Sequence, residues 1–391
     1  MKQKMIVVQL IPGLIVGDLG GGLELFAIRL AQALDKTLFR VYIATLWQFQ
    51  RPVEQQWERE LRTEGIDVIY GAPFHPSLPW ALLTSLHRLR WLIPQIRPSI
   101  INSHGEYAGI IGMALRYLSC HPYLIRTCHT TLEFPNHAPI RYITNTLYPL
   151  ITSAQVGVSR HITEQLRQHP FSKVRQLPIQ YISNGIDLDR LNAQRTGTNL
   201  RYELKLDPAM PLVGVVGRLT PQKGIPVALQ AFAHLHKHWP TARLVIVGTG
   251  YGNKPQIYQR FSQSLGISDY VYWLGARTDT IDIIASLDVL VSSSLWEGLP
   301  TVILEAMALG IPVVATNIAG TRDLVKHEQT GLLVPPEHPE ALSLAIQQLL
   351  SDRVFAHRLA EAARRQVEQF TIAQIACQYE QLYLSLRSNV Q

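Results

Sequence analysis

The 391-residue chain is short of several things, and each shortage excludes a class of protein. No apolar run approaches the ~20 residues that cross a bilayer, so no membrane-spanning helix is expected. Only three cysteines occur, Cys120, Cys128 and Cys377, an odd count without ligand spacing. That argues against a disulfide framework or a thiolate zinc site and fits a reducing cytoplasm. Charged residues make up 17% of the chain against 47% hydrophobic ones, a globular composition with no disordered tail. The dinucleotide fingerprint is missing too. Gly20-Gly21-Gly22 follows the first apolar run only after a long loop, and Leu25 stands where G-x-G-x-x-G needs its last glycine.

What is present points to two α/β domains. The length exceeds one ordinary core. Lys2 and Lys4 before the apolar run 5–11 imitate a secretion signal, but Pro12 interrupts it and no small-x-small cleavage site follows, so a first buried strand is expected. Short apolar runs then alternate with helical patterns in both halves, the arrangement of parallel sheets covered on two faces. The stretch 188–211 loses apolar periodicity and gathers Asn, Thr, Gly and Pro, which places the hinge there. The expected domains are residues 1–190 and 191–370, with a last helical segment from residue 371 onward.

The net charge of +7 is unevenly placed: residues 1–185 carry 18 Lys/Arg against 11 Asp/Glu, and the rest of the chain is balanced. This favours an anionic partner for the first half, such as lipid headgroups, a lipid diphosphate or an acidic glycan. No basic cluster interleaved with aromatics suggests nucleic acid. Residues 80–96 read as an amphipathic helix with Arg88, Arg90 and Trp91 off the apolar stripe. Such a helix either packs on its sheet or lies on an anionic membrane.

The most informative stretch runs from Ser294 to Ala308, where seven residues separate Glu297 from Glu305. Gly298, Leu299, Pro300 and Thr301 prepare a helix start, with Pro300 suited to the first turn. Glu305 falls in an apolar run, where a carboxylate is costly to bury unless hydrogen-bonded. Sugar and ribose hydroxyls are suitable donors, and a helix start offers N–H groups to a phosphate. Upstream, Val215-Val216-Gly217-Arg218 and Lys223 put two cations after a buried strand, where ligands of doubly wound sheets sit. Taken singly, either acid is as well explained as a cap or an ion-pair partner.

The segment from Ser294 through Thr316 resembles the E-x7-E signature of retaining family 4 glycosyltransferases. The resemblance covers nearly the whole chain and is strongest over 213–335. It implies the GT-B architecture: two Rossmann-like doubly wound domains facing a central cleft, with a C-terminal helix crossing back to the first. It implies an acceptor-binding first domain and a nucleotide-sugar-binding second domain. Arg218 and Lys223 would clamp the donor diphosphate, Glu297 would hold sugar hydroxyls, and Glu305 ribose hydroxyls. His129, ending a strand in Arg126-Thr127-Cys128-His129, would face the transferred sugar. Gly21 and Gly22 fall where the family brings a glycine turn near the phosphates, and Gly217, Gly248 and Arg277 fall in its nucleotide-binding segments. His104 and Glu106 would lie on the acceptor side. The family's basic residue soon after the second histidine is replaced by Thr131-Leu132-Glu133.

The resemblance further implies hexose transfer to a hydroxyl acceptor, possible in lipid-linked form, in cell-envelope lipid or polysaccharide synthesis. It needs no cofactor and no metal. Asp187-Leu188-Asp189 spells D-x-D, but it does not end a nucleotide-binding strand. The expected location is the cytoplasm, with the cytoplasmic membrane face open to it. Two alternatives share these features: a nucleotide-sugar epimerase of the same fold and a non-catalytic nucleotide-sugar-binding protein.

Overall fold

The computed structural model describes residues 4–16, 21–130, 138–193, 197, 199–250 and 254–388. The chain divides into two compact units, 1–185 with 372–391, and 186–371. The division falls slightly before the expected boundary at 190/191.

The first unit is built on seven parallel strands. In chain order they are β1 (Met5–Ile11), β2 (Phe39–Gln48), β3 (Asp67–Pro73), β4 (Ile100–His104), β5 (Tyr123–Cys128), β6 (Ala154–Gly157) and β7 (Ile179–Tyr181). Their spatial order is β3-β2-β1-β4-β5-β6-β7, so the winding reverses between β1 and β4. Val7, Ile11, Val41, Ile43, Ile100 and Ile125 pack with the helix Gly22–Ala33 on one face. Val8, Leu10, Ala44, Leu46, Ile101 and Leu124 face the helices Leu78–Ile96 and Glu106–Leu118 on the other. The alternation along each strand produces both cores.

The last helix, Ile372–Ser388, belongs to this unit. Ile375, Tyr379, Leu382, Tyr383 and Leu386 join the core beside Phe26 and Phe39. The crossing expected from the resemblance is therefore present, and it buries two tyrosines.

The second unit holds six parallel strands: β8 (Leu212–Val216), β9 (Arg243–Val247), β10 (Val271–Gly275), β11 (Val289–Ser292), β12 (Val313–Thr316) and β13 (Leu332–Val334). Their order is β10-β9-β8-β11-β12-β13, which reverses between β8 and β11. Both sheets thus share the doubly wound plan, whose ligand crevice lies at the carboxyl ends of the strands flanking the reversal.

Candidate functional site

In the second unit the strands flanking the reversal deliver the expected residues. After β8 the chain passes Gly217 and Arg218 into the short 3-10 turn Pro221–Lys223. After β11 it runs through Ser293 and Ser294 to Glu297, then into the helix Thr301–Ala308. Lys223 Nζ and Glu297 Oε1 meet at 2.6 Å. Ser294 Oγ donates to the same oxygen at 2.7 Å, and Gln222 Nε2 donates to Oε2 at 3.2 Å. Leu295 N donates to Gln222 O at 2.7 Å and Ser293 Oγ to Lys223 O at 2.8 Å, so the two loops are laced together. Sequence alone assigned no role to Gln222 or Ser294. Their adjacency to Lys223 and their spacing before Glu297 were the available signals.

Arg218 is exposed, and its side chain has no ion-pair or hydrogen-bond partner among the described residues. Lys223 keeps two of its three donor directions beyond Glu297. Pro300 sits one position outside the helix, as its cap, with φ −75° and ψ 104°. Gly298, Leu299 and Pro300 are buried beneath it, and Thr301 opens its first turn. Glu305 lies between the buried pairs Ile303/Leu304 and Ala306/Met307. Its carboxylate has no hydrogen-bond donor among the described residues. Although its surface is only partly covered, burial lifts its carboxyl to about 7, and the Lys223 charge pulls the other way.

Two glycines permit this packing. Gly224, at φ +58°, would place a Cβ 2.1 Å from Ser293 O. Gly248, at φ +129°, would place one 2.0 Å from Gly217 O. Neither position admits a side chain without moving backbone. Arg277 is engaged differently from a free base-pocket residue: its guanidinium binds Asp279 at 2.7 Å and Glu203 at 2.7 Å. Asp187 accepts from Arg190 N at 3.0 Å and pairs with its guanidinium at 3.3 Å, which makes it a helix-end residue.

In the first unit Gly21 caps the helix that Gly22 begins, its N–H donating to Glu24 Oε2 at 2.9 Å. His104 ends β4 and is completely buried, so it cannot touch an acceptor directly. It lies behind His129, with His104 Nδ1 3.1 Å from His129 Nε2 and His104 Nε2 2.8 Å from Gln9 Oε1. Phe26 meets both rings edge-on. Burial depresses the basicity of both histidines, holding His129 at about 3. Glu106 begins the following helix. On the opposite face of β5, Arg126 and Thr130 line a cavity of about 380 Å³ together with Arg141, Gln155 and Ser172. Sequence reasoning missed it. Thr131, Leu132 and Glu133 lie outside the described residues.

Comparison with known proteins decides the family. Residues 20–190 match Glycosyltransferase Family 4, and residues 198–366 match Glycosyl transferases group 1. The chain belongs to glycosyltransferase family 4. The family 4 chain is 34% identical to a D-inositol 3-phosphate glycosyltransferase of Corynebacterium urealyticum, a match covering 53% of this chain and 51% of that protein. The enzyme of the same name from Corynebacterium aurimucosum is 29% identical, with 95% and 92% covered. An Escherichia coli enzyme named UDP-Gal:alpha-D-GlcNAc-diphosphoundecaprenol alpha-1,3-galactosyltransferase is 26% identical, with 78% and 80% covered. Among solved structures, Anabaena HepE in complex with UDP and glucose superposes with a TM-score of 0.81 at 22% identity, covering 97% of this chain and 100% of that one. At that identity the likeness establishes the fold, which is GT-B. The family 4 chain is a glycosyltransferase of the nucleotide-sugar type, and these relatives lend the epimerase alternative no support.

Proposed function

We propose that this protein moves a hexose from a nucleoside-diphosphate sugar to a hydroxyl acceptor with retention of the anomeric configuration. The observation that carries the reading is the Lys223–Glu297 contact across the reversal of the second sheet, with exposed Arg218 beside it. Arg218 offers a fork and Lys223 a point charge to the departing diphosphate, an electrostatic role suited to phosphate leaving groups. Glu297, already oriented by Ser294, Gln222 and Lys223, presents a fixed acceptor to sugar hydroxyls. Glu305 lacks donors among the described residues, and ribose hydroxyls supply them. The acceptor oxygen attacks from the face the diphosphate leaves and loses its proton to a phosphate oxygen. Leaving-group charge is balanced by these two cations, so the reaction proceeds without a metal.

Several features support a lipid-linked acceptor at the cytoplasmic membrane face. The cavity lined by Arg126, Arg141 and Thr130 suits an anionic group. The helix Ala138–Ile151, which lines it, exposes Ile140, Tyr142, Ile143, Leu147 and Leu150. The helix Leu78–Ile96 exposes Trp80, Leu83 and Trp91. Residues 68–163 contain seven arginines and only two acids, Glu106 and Glu133. Apolar and basic side chains together favour an anionic bilayer surface. Among the described residues no helix is long and apolar enough to cross a membrane.

The test is calorimetry with UDP-, GDP- and ADP-linked hexoses, followed by transfer assays with lipid-linked acceptors and proton NMR of the product. Binding of one donor, transfer insensitive to chelator, and a retained anomeric coupling are expected. Failure to bind any donor overturns the reading; an inverted product overturns retention, and loss on chelation restored by a divalent cation overturns metal independence.

A further inference from the structure

Behind His129 lies a row of buried polar groups that the reaction above does not use. Thr127 Oγ1, which also lies 3.1 Å from Tyr379 Oη, donates to Asn102 Oδ1 at 2.9 Å, an amide orientation in which Asn102 Nδ2 donates to Tyr383 Oη at 3.1 Å. Gln9 Nε2 donates to the same tyrosine oxygen at 3.3 Å, leaving Gln9 Oε1 toward His104 Nε2 at 2.8 Å. Gln9, Asn102, His104, Thr127 and Tyr383 are all fully buried, so water cannot exchange these roles.

The donor logic then runs in one direction. An amide oxygen only accepts, so the proton of His104 sits on Nε2. The neutral ring has one lone pair left, on Nδ1, and that nitrogen accepts from His129 Nε2–H across 3.1 Å. His129, with its proton committed to Nε2, is left with a lone pair on Nδ1. That nitrogen has no partner among the described residues, and the ring is partly open to solvent.

We infer that Gln9 and His104 are positioning residues that hold His129 in the Nε2–H tautomer, so that its Nδ1 accepts a hydrogen bond from a hydroxyl of the transferred sugar. This rests on the reading of His129 as a sugar contact. It departs from the expectation that His104 serves the acceptor. It also gives Tyr383 on the last helix a role in the first unit's chemistry, as the group that orients Gln9.

The wild-type protein, labelled with ring-15N histidine, decides the tautomer by long-range 1H–15N correlation, with His129 assigned through a His129→Asn variant. The inference requires a protonated Nε2 and an unprotonated Nδ1 at His129. A protonated Nδ1 overturns it, because the Gln9 amide would then be turned, with Tyr383 donating to its oxygen. Activity gives an independent reading. Gln9→Leu is expected to lose at least about tenfold in kcat/KM, chiefly through the donor KM. Gln9→Glu should keep most of the activity, since a carboxylate still accepts from His104 Nε2–H and from the Tyr383 hydroxyl. Full activity in Gln9→Leu, or failure of a folded Gln9→Glu to rescue, overturns the relay. A wild-type protein that bound no nucleotide sugar would count against the transferase reading, and the ring-nitrogen shifts would still decide the relay by themselves.

Discussion

Glu305 carries the clearest consequence of burial at a single residue. Its folded-state value of about 7 lies above the ordinary 4.5. Between the two, the folded protein keeps a proton that the unfolded chain has released, so this group's contribution to stability falls as pH rises through that window. Glu305→Gln removes the loss. Its gain in melting temperature over the parent should be small near pH 4.5, grow with pH, and level off above about 7. A difference that stays flat with pH would show that the carboxylate is not held protonated. Lys223 makes a second residue-scale prediction. Lys223→Ala should lower kcat/KM by at least about 100-fold through lost charge stabilisation of the diphosphate. Its melting temperature should fall only modestly, because Glu297 retains Ser294 and Gln222. Near-normal turnover in this variant would remove Lys223 from the site. The acids and cations of this site were picked out through the family resemblance of their segments, and Glu305 also as a charge within an apolar run. Gln9, Asn102 and Tyr383 were not, since neutral polar residues in apolar runs acquire meaning only when β1, β4 and the last helix are brought together.

At the scale of elements, the turn after β8 is the most exposed to a small change. Gly224 follows Lys223 in the left-handed region and lies against Ser293 O, so Gly224→Ala forces the Lys223 turn away from the Glu297 loop. The expected cost is roughly 2–4 kcal/mol of stability with loss of donor binding, read by denaturant unfolding and nucleotide titration. An unchanged midpoint would mean that the two loops do not depend on each other. Most strands are legible as short apolar runs because parallel strands are buried on both faces, but the three-residue edge strand β13 (Leu332–Val334) is too short to stand out. Helices are harder to read, and Pro52–Thr63 and Ala138–Ile151 show two opposite reasons. Pro52–Thr63 buries only Glu54 and Leu61, which leaves no apolar stripe to detect. Ala138–Ile151 is reversed: Thr144, Tyr148 and Pro149 are buried, and its aliphatic residues point outward. A helix pattern fitted to core packing misreads such a segment.

For the whole molecule, sequence, fold and charge divide the labour between the two units. The first unit is completed only by the end of the chain. Ile375, Tyr379, Leu382, Tyr383 and Leu386 each contribute about 1.5–3 kcal/mol of burial, a sum comparable to the stability of an entire domain. Deleting residues 372–391 should therefore abolish the first unit's calorimetric transition and spare that of the second; two intact transitions would show the helix to be dispensable. The first unit also carries the whole excess of positive charge and the outward apolar ridge of Ala138–Ile151. If that ridge enters the headgroup region, the protein should sediment with vesicles rich in anionic lipid and not with neutral ones. Binding should weaken as salt rises toward ~0.5 M, where the screening length falls to a few ångströms. The double variant Ile143→Glu and Leu147→Glu adds two acids to the exposed ridge without touching the buried side of that helix. It should bind at least about tenfold more weakly at equal stability, since each residue loses apolar contact and gains repulsion from the lipid phosphates. Transfer to a short-chain, water-soluble acceptor should survive in this variant, because both altered positions are exposed and neither lines the cavity at Arg126 and Arg141. Undiminished vesicle binding would move the membrane contact off this face.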